Sequence, residues 1–180
     1  MEDDKKERFE RIAVPYFDTL YNFAWRMTGN KADAEDIVQD AFLSAYRFFH
    51  QFKEGTNCKA WLFRILKNTF INKIKKERRE ARGVEELRSS GVEEFNTLTL
   101  KLHNHSTRLD EGFDEIVQNA LNKLPEEFRM AIISCDIEGL SYREIAEVQE
   151  CPVGTVRSRI NRSRRFLAEE LKDYMETRKL

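Results

Sequence analysis

Apolar residues return at helical spacing in three stretches of the first half of the chain. Phe17, Leu20, Tyr21, Ala24 and Met27 keep such a rhythm until Gly29-Asn30 stops it. Ile37, Val38, Ala41, Phe42, Ala45, Tyr46 and Phe49 predict a second helix, and Lys53 to Asn57, with Gly55, a loop. A third helix is expected to bury Trp61, Leu62, Ile65, Leu66, Thr69 and Phe70. Its opposite face would carry Arg64, Lys67, Asn68 and Ile71 at i, i+3, i+4, i+7, with Asn72 and Lys75 extending it.

The rhythm is lost from 83 to 112, where Gly, Ser, Asn, His and Thr outnumber scattered apolar residues, and a flexible linker is predicted there. It returns after Phe113 as a stripe of Ile116, Val117, Ala120, Leu121 and Leu124. Pro125 suits the first turn of a further helix carrying Phe128, Ile132 and Cys135 and ending near Gly139. No stretch sustains a two-residue alternation, so the fold class is all-α. Two small helical domains, 1–82 and 113–180, flank the linker 83–112.

Beyond Gly139, Ser141-Tyr-Arg-Glu144 fits a capping box, in which the hydroxyl serves the Glu144 amide and the carboxylate reaches back. Ile145, Ala146 and Val148 make a short buried face, Glu150-Cys-Pro-Val153 a tight turn, and a helix restarts near Val153-Gly154-Thr155. That helix would bury Val156, Ile160 and Leu167 and project Arg157, Ser158, Asn161, Arg162 and Arg165. Two short helices, a brief turn and a basic outer face describe a DNA-reading helix-turn-helix. Arg157 and Arg162 suit guanine edges, Asn161 suits adenine, and Ser158 suits base or phosphate. Arg159, Arg164 and Arg165 suit phosphate.

Composition sharpens this picture. Only 7 Gly and 3 Pro in 180 residues leave little material for many tight turns, and 41% hydrophobic residues suffice for packed cores. The formal net charge of −1 argues against a generic nucleic-acid binder, but the charge is unevenly placed. Lys59 to Arg82 holds nine basic residues against Glu77 and Glu80, while Asp33, Glu35, Asp36 and Asp40 form an acidic group. Two basic faces and one acidic face allow two contacts with nucleic acid and one with a basic partner.

The string Leu140-Ser-Tyr-Arg-Glu-Ile-Ala-Glu-Val-Gln-Glu-Cys-Pro-Val-Gly-Thr-Val-Arg-Ser-Arg-Ile160, with Leu124-Pro-Glu-Glu-Phe-Arg129 before it, resembles the C-terminal domain of extracytoplasmic-function (group IV) sigma factors of the sigma-70 family. Asp33-Ala-Glu-Asp-Ile-Val-Gln-Asp-Ala-Phe42 and Ala60-Trp-Leu-Phe-Arg-Ile-Leu-Lys-Asn68 resemble that family's N-terminal domain. The resemblance implies that the chain carries core RNA polymerase to promoter DNA. It places Asp36, Gln39 and Asp40 on the polymerase clamp helices, and Arg64, Asn68 and Asn72 on the −10 element as its strands open. Lys67, Lys73, Lys75 and Lys76 would hold the backbone there, and the loop Lys53 to Lys59 would receive a base that leaves the stack. Arg157, Ser158, Asn161, Arg162 and Arg165 would meet the −35 element. Asn161 departs from the pattern, since many family members place an aromatic residue or His there. The family also implies an anti-sigma partner.

Other chemistry finds little support. His103-Asn104-His105 lacks the surroundings of a nuclease or zinc site. Cys58, Cys135 and Cys151 stand too far apart for a disulfide framework, and buried, inert thiols are expected of the last two. Neither a phosphate loop nor a catalytic constellation occurs, so no enzyme activity and no cofactor are expected. The charged start, Glu2 to Arg8, and the lack of a long apolar run predict a cytoplasmic protein without membrane insertion. The competing reading is a stand-alone helix-turn-helix regulator, which leaves the helix after Trp61 without a purpose.

Overall fold

The computed structural model describes residues 2–80 and 115–177, and every regular element among them is helical. The predicted linker, with His103 and His105, lies outside these residues. The first unit comprises α1 (Glu2–Ala13), α2 (Phe17–Thr28), α3 (Lys31–Arg47) and α4 (Cys58–Glu80). The second comprises α5 (Glu115–Asn122), α6 (Glu126–Ile132), α7 (Tyr142–Gln149), α8 (Val153–Glu170) and α9 (Lys172–Thr177).

Helix α1 has no counterpart among the sequence expectations, because its first two turns are almost wholly charged. Tertiary packing makes it: Phe9 and Ala13 are fully buried, and the Phe9 ring meets Tyr46 and Phe49 edge-on at 5.2 Å each. The α2–α3 turn falls where the sequence stops it. Gly29 takes φ 75°, a left-handed position that a Cβ would strain, and Asn30 caps α3 by accepting from the Asp33 amide at 2.8 Å.

The faces of α4 are rotated from the expected ones. Leu62, Phe63, Leu66 and Phe70 are buried, whereas Trp61, Ile65 and Thr69 are only half-buried. Lys67 also turns inward, because the second unit covers it. In α5, Ile116 is exposed and Gln118 is buried in its place. The reason is again the neighbouring unit: Gln118 Nε2 donates to the Arg26 carbonyl at 2.9 Å.

The two units pack directly on one another, and the end of α2 is one seam. The last carbonyls of a helix lack partners within it. Gln118 satisfies that of Arg26, and Arg129 Nη1 donates to that of Met27 at 2.7 Å. Arg129 also donates to the Asn122 carbonyl at 2.9 Å and the Leu124 carbonyl at 3.1 Å, so one guanidinium serves two helix ends. Burial pushes its pKa down from the ordinary arginine value.

Helix α6 continues into a π-helical segment, Ile133–Ile137, closed by Glu138 N to Ile133 O at 3.0 Å. The wider turn re-aims the chain just beyond it. Glu138 stands at that point, its carboxylate 3.6 Å from Arg26 while both side chains are at least nine-tenths buried. Burial raises its pKa, although Lys59 and Arg26 oppose the rise.

Candidate nucleic-acid interface

The helix-turn-helix forms as its residues dictate. Ser141 accepts from the Glu144 amide at 3.3 Å, and Glu144 accepts from the Ser141 amide at 2.7 Å, completing the capping box. Those bonds hold the Glu144 carboxyl below the usual glutamate range. Ile145 and Val148 of α7 and Val156 and Ile160 of α8 are buried, and Leu167 is half-buried. Pro152 precedes α8 and gives it no side-chain cap, and its carbonyl accepts from the Thr155 amide at 2.9 Å and the Val156 amide at 3.3 Å.

The outer face of α8 presents Arg157, Ser158, Asn161, Arg162 and Arg165, all exposed. Arg159 and Arg164 are not part of it. Arg159 donates to Gln149 Oε1 at 2.7 Å, touches Cys151 Sγ at 3.5 Å and pairs with Glu127. Arg164 grips both oxygens of Asp136, at 3.0 and 2.6 Å. That grip holds the Asp136 carboxyl below its ordinary range and the guanidinium above its own. Two arginines expected on phosphate are therefore held by carboxylates of the same unit.

A second polar surface lies on α4. Ser44, Phe48, Gln51, Trp61, Arg64, Ile65, Asn68, Thr69 and Asn72 line an open cavity of about 400 Å³. Phe52 and Phe49 hold Trp61 at its wall, with ring centroids 5.1 and 6.3 Å away. Aromatic walls beside amides and a guanidinium suit a flat, hydrogen-bonding ring. Lys75 and Lys76 extend further along, Lys76 pairing with Glu80 at 3.3 Å. Lys73 is diverted: its ammonium meets Asp33 at 2.6 Å and Asp36 at 3.4 Å.

On α3, Asp36 and Asp40 are exposed and Gln39 is half-buried, all on the side away from the core residues Ile37, Val38 and Ala41. The thiols differ from expectation. Cys58 is the buried one, its pKa pushed up to about 11 by burial. Cys135 and Cys151 are half-buried, each touched by an arginine. No helix among the described residues is long and apolar enough to cross a membrane.

What the sequence could not reveal is the surface between the units. Glu150 accepts from Arg64 at 3.0 Å and from Lys67 at 2.7 Å. Lys59 donates to the Glu138 carbonyl at 2.6 Å, Arg78 pairs with Glu126 at 2.7 Å, and Asn57 donates to Glu144. The unpaired look of these charges along the chain gave no sign of such partners.

Residues 14–80 match the family description "Sigma-70 region 2", and residues 114–167 match "Sigma-70, region 4". Over 173 residues the sequence is 35% identical to an "ECF RNA polymerase sigma factor SigE" of Mycolicibacterium smegmatis, covering 93% of this chain and 61% of that longer protein. Over 161 residues it is 36% identical to the "ECF RNA polymerase sigma-E factor" of Escherichia coli, covering 88% of this chain and 84% of that protein. The fold is similar to that of the sigma factor RpoE in complex with the anti-sigma factor NepR from Bartonella quintana, with TM-score 0.72, 30% identity and 92% and 98% of the two chains covered. It is also similar to CnrH in complex with the cytosolic domain of CnrY, with TM-score 0.63, 25% identity and 93% and 90% covered.

Proposed function

The chain belongs to the extracytoplasmic-function sigma factors of the sigma-70 family, which serve RNA polymerase in transcription initiation, and we propose that its two helical units divide that task. The N-terminal domain, 1–82, docks on core polymerase and opens the −10 element. The C-terminal domain, 113–180, reads the −35 element, and 83–112 links the two.

One observation carries this division: a second surface suited to nucleic acid exists outside the helix-turn-helix. The cavity beside Trp61, with Arg64, Asn68 and Asn72 on its wall, falls within the range of about 300–1,000 Å³ usual for ligand sites. A base leaving the duplex loses its stacking and needs such a wall and such hydrogen-bonding groups. Lys75 and Lys76, both exposed, follow along the same helix to hold the strand's phosphates, while Lys67, expected with them, is buried against Glu150. A stand-alone regulator would have no use for this cavity.

The helix-turn-helix acts through the exposed stripe Arg157, Ser158, Asn161, Arg162 and Arg165. Asp36, Gln39 and Asp40 offer an acidic edge to basic helices of core polymerase, where opposite charge speeds and orients docking. An anti-sigma partner is supported by the two similar structures, one in complex with the anti-sigma factor NepR and the other with the cytosolic domain of CnrY. The chain needs no cofactor and performs no catalysis of its own in this scheme, and it works in the cytoplasm.

Run-off transcription with core polymerase on a promoter library tests the reading. Discrete transcripts that depend on added chain are expected. Tight duplex binding without core binding or transcripts would overturn it.

A further inference from the structure

Helix α1 contributes no residue to the cavity beside Trp61, and it ends at Ala13, just before the residues 14–80 that match sigma-70 region 2. It nevertheless touches the loop Lys53 to Lys59 at entry, exit and tip. At the entry, the buried Phe9 ring meets Phe49 edge-on at 5.2 Å, Phe49 stacks on Phe52 at 5.8 Å, and Phe52 packs on Trp61. At the exit, Cys58 Sγ donates to the Ile12 carbonyl at 3.6 Å. At the tip, Arg8 Nε donates to Glu54 Oε1 at 2.8 Å, while its guanidinium lies 6.0 Å from the centre of the Phe49 ring. We propose that α1 braces the −10 loop and that Arg8 is a positioning residue for base recognition.

The bonds within the tip are local. Thr56 donates to the Lys53 carbonyl through its amide at 3.2 Å and through its hydroxyl at 2.6 Å. Gly55 at the crown takes φ 84°, and a Cβ there would meet nothing within 4 Å. Such a turn keeps its own shape, yet it is free to swing as a body about Phe52 and Asn57. The rings and Cys58 fix the two ends of that swing. Among the described residues, Arg8 supplies the polar contact that reaches the tip from outside.

Magnitude decides what this contact does. The pair is nearly half-exposed on both sides, so its loss shifts an equilibrium by no more than about fivefold. A fold held by buried rings such as Phe9, Phe42 and Phe63 barely registers so small a change. A loop that must meet an unstacked base does register it, because its binding geometry is then less populated beforehand.

The inference rests on the loop meeting −10 DNA, and its test uses holoenzyme assembled from the full chain and core polymerase. Strand opening is followed by 2-aminopurine fluorescence at each −10 position in turn. Base preference is read from transcripts of promoters changed at one −10 position. Arg8→Ala should lower opening and preference by about two- to fivefold. Its core affinity and melting temperature should stay like those of the wild type. Arg8→Glu and Glu54→Arg should each impair both readouts, and the two exchanged together should restore them. Unchanged opening and preference in Arg8→Ala, an exchange no better than the single reversals, or a loss that follows core affinity and melting temperature would each overturn the brace. Failure of the loop reading shows separately, as wild-type opening and preference in Lys53→Ala with Thr56→Ala.

Discussion

Lys73 reaches back from α4 to Asp33 at the start of α3, with 2.6 Å between ammonium and carboxylate. The contact joins the acidic helix to the basic one inside the first unit. Burial works against the Lys73 charge, but hydrogen bonds and charges from Asp33 and Asp36 outweigh it and hold its pKa above the ordinary lysine value. Asp33 is held low in turn, by Lys73 first and Asn30 second. A lysine assigned to phosphate by its place in a basic run is thus a brace between helices.

Lys73→Met should therefore act on stability more than on DNA. Both partners are partly exposed, so the loss is a few tenths to about 1 kcal/mol. Urea unfolding measures it. The salt dependence of promoter binding should stay close to that of the wild type, because no phosphate contact is removed.

Gly29→Ala should cost about 1–2 kcal/mol for the left-handed backbone alone. A Cβ at Gly29 would also come within 3.2 Å of Asn122 Nδ2, in the other unit. Gly139 shares the positive φ, at 68°, but has open space around it. Denaturation of both alanine variants should show the larger loss at Gly29, and the difference is the share due to packing between the units.

Arg162→Ala should weaken use of the −35 element by roughly 1–3 kcal/mol and leave core binding intact. Arg164→Ala, two residues away, should lower thermal stability by no more than about 1 kcal/mol, since its pair with Asp136 is half-exposed. Promoter titration and thermal melts on the two variants should give opposite rankings.

Acid should loosen the fold through Asp33, Glu144 and Asp136. Each has a native pKa below its ordinary value, so each stabilises the fold above that ordinary value. The contribution is lost as pH falls through the lowered native values, below about 4. Glu138 has the opposite sign: burial raises its pKa, and its cost to the fold is relieved as pH falls through that raised value. Melting temperatures from about pH 7 to about pH 3 should fall overall. Asp136→Asn should show a shallower fall than the wild type.

Local pattern alone determined most of the helices and the whole helix-turn-helix. Gly29-Asn30 stops α2 and caps α3, Ser141 and Glu144 form the box they spell, and Val156 and Ile160 turn inward while Arg157, Asn161 and Arg162 turn out. These outcomes depend on neighbours within a turn or two, and such neighbours are written side by side in the chain. Helix α1 was beyond that range, since its anchor Phe9 is explained by distant rings, Phe42, Tyr46 and Phe49. The same holds for the roles of Lys67, Arg159, Arg164 and Glu150. A charge in a sequence carries its sign but not its partner, and Lys67 meets Glu150 from 83 residues away. Which basic residues remain free for DNA, and which are already held by the protein's own carboxylates, was decided by tertiary packing, within a unit for Lys73, Arg159 and Arg164 and between the units for Arg64 and Lys67.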